Sequence, residues 1–294
     1  MMQVHACAPE KRQGVALANA LGVSFHEVAL HHFPDGESLP VVAHDGARTV
    51  VAYASLDHPD GKLIRLLLAA DAWRRTGVRR LILVAPYLCY MRQDAVFAPG
   101  QPLSRDVICK LLAGAFDRVL TVDAHLHRTG SLAEVFGKVP AQDLSAADPL
   151  ALAFEGGDRP LVVGPDMESR PWVQRIADRL GGDILMFHKT RGGDRQVELY
   201  AENVACAKGR RVVIVDDICS SGATIEQVAI MLRAAGAASI EMGVVHALFT
   251  DQVEARLQAA GVSRIVSTDS ITHRTNHASL APLLADALKD EAPA

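Results

Sequence analysis

Short apolar runs alternate with amphipathic stretches along most of the chain. Residues 161–164 form an apolar run of strand length and 118–122 are mainly apolar, so both are predicted strands. In residues 61–75, leucines and alanines recur on one helical face. Because strands that alternate with helices build parallel sheets covered on both faces, we predict an α/β fold. Further strands are predicted at 48–54, 80–85, 184–188, 211–215 and 240–248, and further helices at 103–112, 168–180 and 223–235.

The pattern divides into two halves of similar size. Residues 142–160 are rich in Ala, Asp, Gly and Pro, a composition typical of a connection between domains. We therefore expect an N-terminal domain over 1–145 and a C-terminal domain over 146–280. Residues 281–294 are expected to form a C-terminal helix and tail that pack on the N-terminal domain.

Composition narrows the class of protein. Hydrophobic residues make up 49% of the chain and charged residues 22%, which is typical of a globular protein. A formal charge of −4 does not favour a nucleic-acid partner, and no window approaches the length of a membrane span. The five cysteines are scattered without a CxxC pair, which argues against a disulfide framework or a zinc site. We expect a cytoplasmic protein.

The segment 211–224 is the most informative part of the sequence. An apolar strand is followed by Asp216 and Asp217, then by small residues and a helix start. Ligands of open α/β sheets bind outside the carboxyl ends of strands. A loop of small residues at a helix N-terminus suits a phosphate, and carboxylates accept hydrogen bonds from vicinal hydroxyls. We expect Asp216 and Asp217 to hold the 2- and 3-hydroxyls of a ribose whose 5-phosphate is held by Ser220, Ser221, Gly222, Ala223 and Thr224.

The alternative for this segment is a plain strand, turn and helix with an acidic turn. That alternative does not explain two adjacent acids joined to a run of small and hydroxyl-bearing residues. The segment resembles the loop of the type I phosphoribosyltransferase fold that binds 5-phosphoribosyl 1-pyrophosphate (PRPP). This likeness by itself leaves several enzymes open, including purine and pyrimidine phosphoribosyltransferases.

Six other segments resemble those of ribose-phosphate pyrophosphokinases and run in that family's order along nearly the whole chain. They are Phe33-Pro34-Asp35-Gly36-Glu37, Pro86-Tyr87-Leu88-Cys89-Tyr90-Met91-Arg92-Gln93-Asp94, Pro99-Gly100-Gln101-Pro102-Leu103-Ser104, Val122-Asp123-Ala124-His125, Gly164-Pro165-Asp166 and Lys189-Thr190-Arg191. The loop Ser220–Thr224 looks closer to archaeal-type members than to the common bacterial ones. The resemblance implies two phosphoribosyltransferase-like domains, each a mainly parallel sheet flanked by helices.

The resemblance also implies a reaction and residue roles. The enzyme would move the β,γ-diphosphoryl group of MgATP to the C1 hydroxyl of ribose 5-phosphate, giving PRPP and AMP. Positioning and neutralisation of negative charge carry most of such a transfer. ATP would be bound by Phe33, Asp35, Glu37, Arg92, Gln93 and Asp94, Mg²⁺ by His125 and Asp166, and the transferring group would be stabilised by Lys189 and Arg191.

Each of these segments also has a simpler interpretation. Residues 92–94 could be a solvated turn with a local ion pair, and His125 could be structural. Lys189 and Arg191 could belong to an ordinary basic hairpin, and 33–37 to a Pro-Asp-Gly turn between strands. In the family the 33–37 loop reaches into a neighbouring subunit's site, which would make the active enzyme a homo-oligomer.

Several positions depart from the family pattern. Met167-Glu168-Ser169-Arg170 stands where small residues or glycines are usual, and Ala95-Val96 stands where basic residues are frequent. These departures leave two other functions to weigh: a catalytically silent, PRPP-synthetase-associated-like regulatory subunit, and a phosphoribosyltransferase that uses PRPP. The second would leave the first half of the chain without a purpose.

Overall fold

A computed structural model describes residues 1–43, 45–126, 130–192 and 196–291, and it describes only the backbone of 189–192 and 196–198. The chain forms two compact units. The N-terminal unit comprises Met1–Ser145, Ser270–Thr272 and Leu280–Ala294, and the C-terminal unit comprises Ala146–Asp269 and His273–Ser279. In the described part of the chain, no helix combines the length and the apolar character needed to cross a bilayer.

The N-terminal unit is built on a seven-stranded sheet with the order β3-β2-β1-β4-β5-β6-β7. All neighbours in it are parallel except the β2–β3 hairpin. Its strands are β1 (Met2–Cys7), β2 (Ser24–His32), β3 (Ser38–Val41), β4 (Thr49–Tyr53), β5 (Arg80–Val84), β6 (Arg118–Val122) and β7 (Ala141–Leu144). Its helices are α1 (Lys11–Leu21), α2 (Pro59–Arg75), α3 (Ser104–Ala115), α4 (Ala133–Phe136) and, from the end of the chain, α9 (Ala281–Leu288).

The central strands of this sheet are apolar because helices cover both of their faces. Residues 81–84 of β5 are wholly buried, and helix α2 buries Leu63, Leu66 and Trp73 in the same core. The alternating run of β1 is likewise buried, so that polar Gln3 and His5 lie inside. Continuous burial of this kind is expected of parallel strands.

The C-terminal helix α9 belongs to the N-terminal unit and packs against α1. Just beyond it, Arg80 Nε donates to Glu291 Oε2 at 2.5 Å, and Arg118 Nη1 donates to Glu291 Oε1 at 3.0 Å. The Glu291 side chain is 12% exposed. The hydrogen bond from Arg80, helped by Arg118, holds the pKa of the Glu291 carboxyl below its ordinary value although burial opposes this.

The C-terminal unit is built on a six-stranded, all-parallel sheet with the order β15-β14-β13-β12-β8-β9. A separate antiparallel hairpin, β10–β11, follows β9. The strands are β8 (Leu161–Gly164), β9 (Asp183–Met186), β10 (His188–Gly192), β11 (Gln196–Tyr200), β12 (Arg211–Cys219), β13 (Ser239–Ala247), β14 (Val262–Thr268) and β15 (Asn276–Ala278). The helices are α5 (Ala147–Leu152), α6 (Arg170–Leu180), α7 (Ala223–Ala234) and α8 (Asp251–Ala260).

Both sheets are mainly parallel and flanked by helices, which confirms the predicted α/β architecture. Three predicted elements differ from the structure. The strand predicted at 211–215 continues to Cys219, because β13 pairs alongside it as far as Ala247. The strand predicted at 184–188 is interrupted at Phe187, and the helix predicted at 168–180 begins as a 3-10 turn, Met167–Ser169, before α6.

Candidate active site

The carboxyl edge of the C-terminal sheet brings together several of the predicted ligand-binding residues. Strands β8 and β12 are parallel neighbours, with Val163 opposite Ile214. Asp166 therefore follows β8 beside the part of β12 that carries Asp216 and Asp217. Chain order alone does not show this proximity, because some fifty residues separate the segments and only the sheet order joins them.

Asp216 and Asp217 lie within strand β12 and not in the loop after it. Asp216 Oδ1 accepts from the backbone N–H of Asp217 at 3.1 Å, and Asp217 Oδ1 accepts from that of Ile218 at 2.7 Å. Asp217 is 6% exposed. Asp216 is half-buried, so the two carboxylates differ in their exposure to solvent.

The small-residue loop lies between the end of β12 and helix α7. Gly222 has a φ of 70°, and a Cβ placed there would lie 2.7 Å from Val253 Cγ1, so this position requires glycine. Helix α8 also holds the loop, because Arg256 Nη2 donates to the Ser221 carbonyl oxygen at 2.5 Å. Ser220 and Ser221 are exposed, and Ala223 and Thr224 form the first turn of α7. The first N–H groups of that helix have no helical partners and suit an anion.

A buried cysteine ends the acid-bearing strand. Cys219 is 1% exposed, and burial raises the pKa of its thiol to about 12, with a smaller contribution from Asp216. The thiol therefore stays protonated at neutral pH and is a poor nucleophile. This agrees with chemistry that needs no covalent intermediate at the loop.

Asp166 is used in the structure to begin a helix. Its Oδ1 accepts from the N–H groups of Glu168 at 3.1 Å and Ser169 at 3.3 Å, and Ser169 Oγ donates back to the Asp166 carbonyl at 2.7 Å. This capping defines the turn in which Met167 is 42% exposed, in place of the small residues usual in the family.

The backbone of Lys189 and Arg191 lies in strand β10, paired antiparallel with β11 so that Lys189 faces Leu199 and Arg191 faces Val197. The backbone of the segment is thus a hairpin, the local structure of the simpler interpretation weighed from sequence. It starts beside the carboxyl edge, since Phe187 N–H donates to the Gly164 carbonyl at 2.9 Å. Gly193 and Asp194 lie outside the described residues.

The N-terminal unit shows a different signal at the carboxyl edge of its sheet. Of the non-glycine residues that the structure describes, those with positive φ are His58 (48°), Tyr90 (62°) and Asp123 (41°). They follow β4, β5 and β6, three neighbouring strands. Such conformations cost about 1–3 kcal/mol each and cluster at functional sites, which makes this edge a candidate site.

Arg92, Gln93 and Asp94 lie in the long connection between β5 and α3. Gln93 N–H donates to the Tyr90 carbonyl at 3.0 Å, and Ser104 Oγ donates to Gln93 Oε1 at 2.6 Å. Arg92 is exposed and Asp94 half-buried. The turn is therefore exposed and hydrogen-bonded at both ends, and the assignment of these residues to ATP stays a prediction.

His125 follows β6 in a segment shaped by two acids. Asp123 N–H donates to the Leu144 carbonyl at 2.8 Å, and Ala124 N–H donates to Asp143 Oδ1 at 2.9 Å. Asp143 keeps exposed surface, yet the protein packed around its carboxyl raises its pKa to about 7, and the charge of Asp123 adds to the shift. His127, weighed as a second ligand from sequence, lies outside the described residues.

Phe33, Asp35 and Glu37 occupy the β2–β3 turn. Phe33 N–H donates to the Glu37 carbonyl at 2.9 Å, Asp35 Oδ1 accepts from Glu37 N–H at 3.1 Å, and Phe33 is 40% exposed. The turn also lies at the carboxyl side, but three strand spacings of about 4.8 Å each, roughly 14 Å, separate β2 from β5. The sheet therefore does not place this turn next to Arg92–Asp94.

An ionic cluster in the N-terminal unit was missed from sequence. Lys62 Nζ donates to Asp57 Oδ1 at 2.7 Å, the Ser55 carbonyl at 2.8 Å and Glu10 Oε1 at 2.9 Å. Burial lowers the pKa of Lys62, but its hydrogen bonds to Asp57 and Glu10 outweigh this and raise it. Burial raises the pKa of Glu10, which the lysine offsets only in part. Pro9-Glu10 after β1 matches Pro165-Asp166 after β8, a signal that sequence comparison of the two halves could have found.

The predicted metal ligands can be tested against the donor set. Among the residues that the structure describes, no three His, Cys, Asp or Glu side chains cluster closely enough to hold a metal ion alone. Mg²⁺ binds through one or two protein ligands and completes its shell with water and phosphate oxygens. An imidazole such as that of His125 and a carboxylate such as that of Asp166 are each chemically suited to serve as one of these few protein ligands.

Comparison with known proteins matches both units. Residues 2–115 match the N-terminal domain of ribose phosphate pyrophosphokinase, and residues 151–279 match the phosphoribosyl transferase domain. A ribose-phosphate pyrophosphokinase from Methanopyrus kandleri is 33% identical over 98% of this chain and 99% of its own length. The chain belongs to the ribose-phosphate pyrophosphokinase family.

Other relatives extend the same result. Ribose-phosphate pyrophosphokinases from Halobacterium salinarum and Granulibacter bethesdensis are 34% and 32% identical, over 93% and 98% of this chain and 95% and 96% of their own lengths. The archaeal relatives agree with the likeness expected from the Ser220–Thr224 loop. The phosphoribosylpyrophosphate synthetase structure from Mycobacterium smegmatis covers 99% of this chain and 98% of its own, with a TM-score of 0.83 and 23% identity. This last likeness confirms the fold.

Proposed function

We propose that the protein is a ribose-phosphate diphosphokinase that transfers the β,γ-diphosphoryl group of MgATP to the C1 hydroxyl of ribose 5-phosphate. The observation that carries the proposal is the carboxyl edge of the C-terminal sheet. There Asp216 and Asp217 lead into a loop that requires glycine and into the N-terminus of α7. A loop of this kind suits a phosphate, and the acids suit a diol.

In this proposal ribose 5-phosphate is bound entirely at that edge. The Ser220–Thr224 loop holds the 5-phosphate through backbone N–H groups and hydroxyls. Asp216 and Asp217 accept from the 2- and 3-hydroxyls. The oxygen of the C1 hydroxyl attacks the β-phosphorus of ATP directly and the hydroxyl proton is released. The bond from that phosphorus to the α,β-bridging oxygen breaks, and AMP leaves without an enzyme-bound intermediate.

Charge neutralisation is assigned to Lys189 and Arg191, because the resemblance implies that their segment closes over the transferring group. Their fixed positive charge would be worth most as negative charge develops on the phosphoryl oxygens. His125 and Asp166 would hold Mg²⁺, which neutralises the phosphate oxygens when it is bound. Binding of the ion would compete with the Asp166 cap on Glu168 and Ser169.

ATP is assigned to Arg92, Gln93 and Asp94 for its phosphates, and to Phe33, Asp35 and Glu37 for its adenine. The roughly 14 Å between β2 and β5 supports the idea that the adenine turn serves a neighbouring copy, which requires a homo-oligomer. Phe33 is exposed enough to stack on a base.

The two other functions weighed from sequence are not favoured. A phosphoribosyltransferase has no use for the N-terminal unit, which matches the N-terminal domain of ribose phosphate pyrophosphokinase over residues 2–115. A silent regulatory subunit has no need to keep Lys189, Arg191, His125 and both strand acids together.

The direct test is AMP formation from ATP and ribose 5-phosphate in the presence of Mg²⁺. We expect AMP and PRPP in equal amounts, dependent on both substrates and abolished by EDTA. A panel of nucleotides and pentose phosphates would define selectivity. If the oligomeric protein formed no AMP but consumed PRPP when a nucleobase was added, it would instead be a phosphoribosyltransferase.

A further inference from the structure

Tyr90 has an unusual backbone conformation for its residue type. Its φ of 62° lies in the left-handed region, which a bulky side chain rarely adopts. It follows β5 and precedes Arg92 by two residues. A conformation of this cost persists only where surrounding contacts impose it, so the contacts of Tyr90 are informative.

One of these contacts joins Tyr90 to helix α2. Tyr90 Oη donates to Asp60 Oδ1 at 2.5 Å, and Asp60 lies in the first turn of α2. The carboxylate that accepts this bond raises the pKa of the Tyr90 phenol, as expected when the neutral form is the donor. Leu56 N–H also donates to the Tyr87 carbonyl at 3.0 Å, so two bonds tie the segment after β4 to the segment after β5.

The start of α2 is itself firmly held. The ammonium of Lys62 is bonded to Asp57, Glu10 and the Ser55 carbonyl, which fixes the turn that leads into the helix. The Lys62 side chain is 25% exposed and that of Glu10 only 8% exposed. Asp60 is exposed, but the start of the helix that carries it is held in place by these bonds.

Beyond Tyr90 the chain is held again. Gln93 N–H donates to the Tyr90 carbonyl at 3.0 Å, which closes a turn around Arg92. Arg105 N–H donates to the Gln93 carbonyl at 3.3 Å, and Ser104 Oγ donates to Gln93 Oε1 at 2.6 Å. The turn that carries Arg92 thus has one anchor on α2, through Tyr90, and another on α3, through Gln93.

We propose that the Tyr90–Asp60 hydrogen bond positions Arg92 for the phosphates of ATP. Tyr90 and Asp60 are positioning residues that do not contact the nucleotide themselves, whereas Arg92 does. This inference rests on the proposed function, in which Arg92 binds ATP. Fixing the turn before the ligand arrives removes the cost of ordering an exposed arginine on binding.

The variant Tyr90→Phe separates this role from general packing. It keeps the ring and its size and removes the oxygen that reaches Asp60. Asp60→Asn changes the other partner. Asp71→Asn is a matched control, because Asp71 is an exposed carboxylate on the same helix that pairs only with Arg75 four residues later among the described ion pairs.

Affinity for MgATP is measured by isothermal titration calorimetry, and KM and kcat by AMP release. We expect Tyr90→Phe and Asp60→Asn to weaken MgATP binding about 5- to 10-fold, the effect of having to order one arginine side chain on binding. The KM for ribose 5-phosphate and the melting temperature should stay near wild type, as should every parameter of Asp71→Asn.

A double-mutant cycle on MgATP affinity then tests whether Tyr90 acts through Arg92. In the background Arg92→Ala, we expect Tyr90→Phe to change affinity less than twofold, since there is no arginine left to position. Two results would overturn the proposal: wild-type MgATP affinity in Tyr90→Phe, or full multiplication of the two effects in the double variant. Failure of the proposed function is distinguishable, because the wild-type chain would then release no AMP while the binding cycle would still be measurable.

Discussion

The two units share one strand order but use the same crevice in different ways. In both sheets the first strand lies between the second and a later one, β1 between β2 and β4, and β8 between β9 and β12. Ligands of open α/β sheets bind at this point, where the order reverses. In the N-terminal unit, Lys62 fills the place with its own ammonium. In the C-terminal unit, acids and a glycine loop stand there instead.

The difference shows that topology supplies a place and that local sequence decides its occupant. The Pro-acid pair after the first strand is present in both units, as Pro9-Glu10 and Pro165-Asp166. In the N-terminal unit the acid, Glu10, accepts from Lys62. In the C-terminal unit the acid, Asp166, accepts from backbone N–H groups. The candidate ligand residues of the N-terminal unit instead follow β2, β5 and β6.

The largest effect is expected from removing positive charge near the C-terminal edge. Lys189→Ala should lower kcat about 100-fold or more and change the Kd for ribose 5-phosphate by less than about threefold, because the lysine acts on charge that develops in the transition state. Steady-state kinetics and calorimetry would measure both. Lys208→Ala, at an exposed lysine in the same unit, is the control. A large loss of sugar affinity with normal turnover would contradict the assigned role.

The next largest effect is expected on stability, from replacing Lys62 in the crevice of the N-terminal unit. Lys62→Met leaves the 8%-exposed Glu10 carboxylate without its ammonium, so the free energy of unfolding should fall by about 2–4 kcal/mol. Urea denaturation would measure it, and Glu10→Gln in the same chain should restore part of the loss. Lys11→Met, which removes an exposed pair with Glu27, should cost about 0–0.5 kcal/mol. Equal losses in the two lysine variants would show that the Lys62 cluster stabilises the fold no more than an exposed ion pair does.

Sugar binding should depend on the C-terminal acids. Asp217→Ala should weaken ribose 5-phosphate binding about 10- to 100-fold, since one or two hydrogen bonds to a charged acceptor are lost. Calorimetry would measure the Kd, with Asp158→Ala, at an exposed acid of the same unit, as the control. If Glu10→Gln weakened sugar binding and Asp217→Ala did not, the two crevices would have exchanged roles.

The smallest effect is expected at the end of the chain. Glu291→Gln should lower the free energy of unfolding by about 1–2 kcal/mol, because Arg80 and Arg118 lose a shared carboxylate. The pKa of Glu291 is depressed in the folded state, so this stability is present above its ordinary value of 4.5 and is lost as pH falls below it. Unfolding at pH 7 and pH 4 would measure both. Glu155→Gln, at a more exposed pair with Arg179, should change little at either pH. A pH-independent difference between wild type and Glu291→Gln would contradict the assignment.

The sequence predicted the buried strands best. The strands predicted at 118–122 and 161–164 have the observed bounds, because a strand covered on both faces is apolar throughout. The short edge strands β3 and β15 were not predicted. The strand ending predicted at Val215 was wrong because acids usually mark loops, whereas here pairing with β13 keeps the backbone extended.

The candidate site residues also divide into those that the sequence could predict and those that it could not. The PRPP-type loop could be predicted because its residues are consecutive and each has a chemical reason to be there. Lys62 with Glu10, and Tyr90 with Asp60, join positions 52 and 30 residues apart. One sequence does not indicate such partners, since each side chain by itself is typical of a solvated surface.

The return of helix α9 to the N-terminal unit has a consequence for synthesis on the ribosome. Strand β1 leaves the exit tunnel before the C-terminal sheet, yet its unit also includes residues translated after that entire sheet. Domains whose segments are contiguous can fold as soon as they emerge. Here the N-terminal unit lacks helix α9 until the C-terminal unit has been translated. The C-terminal sheet can therefore form while the N-terminal unit is still incomplete.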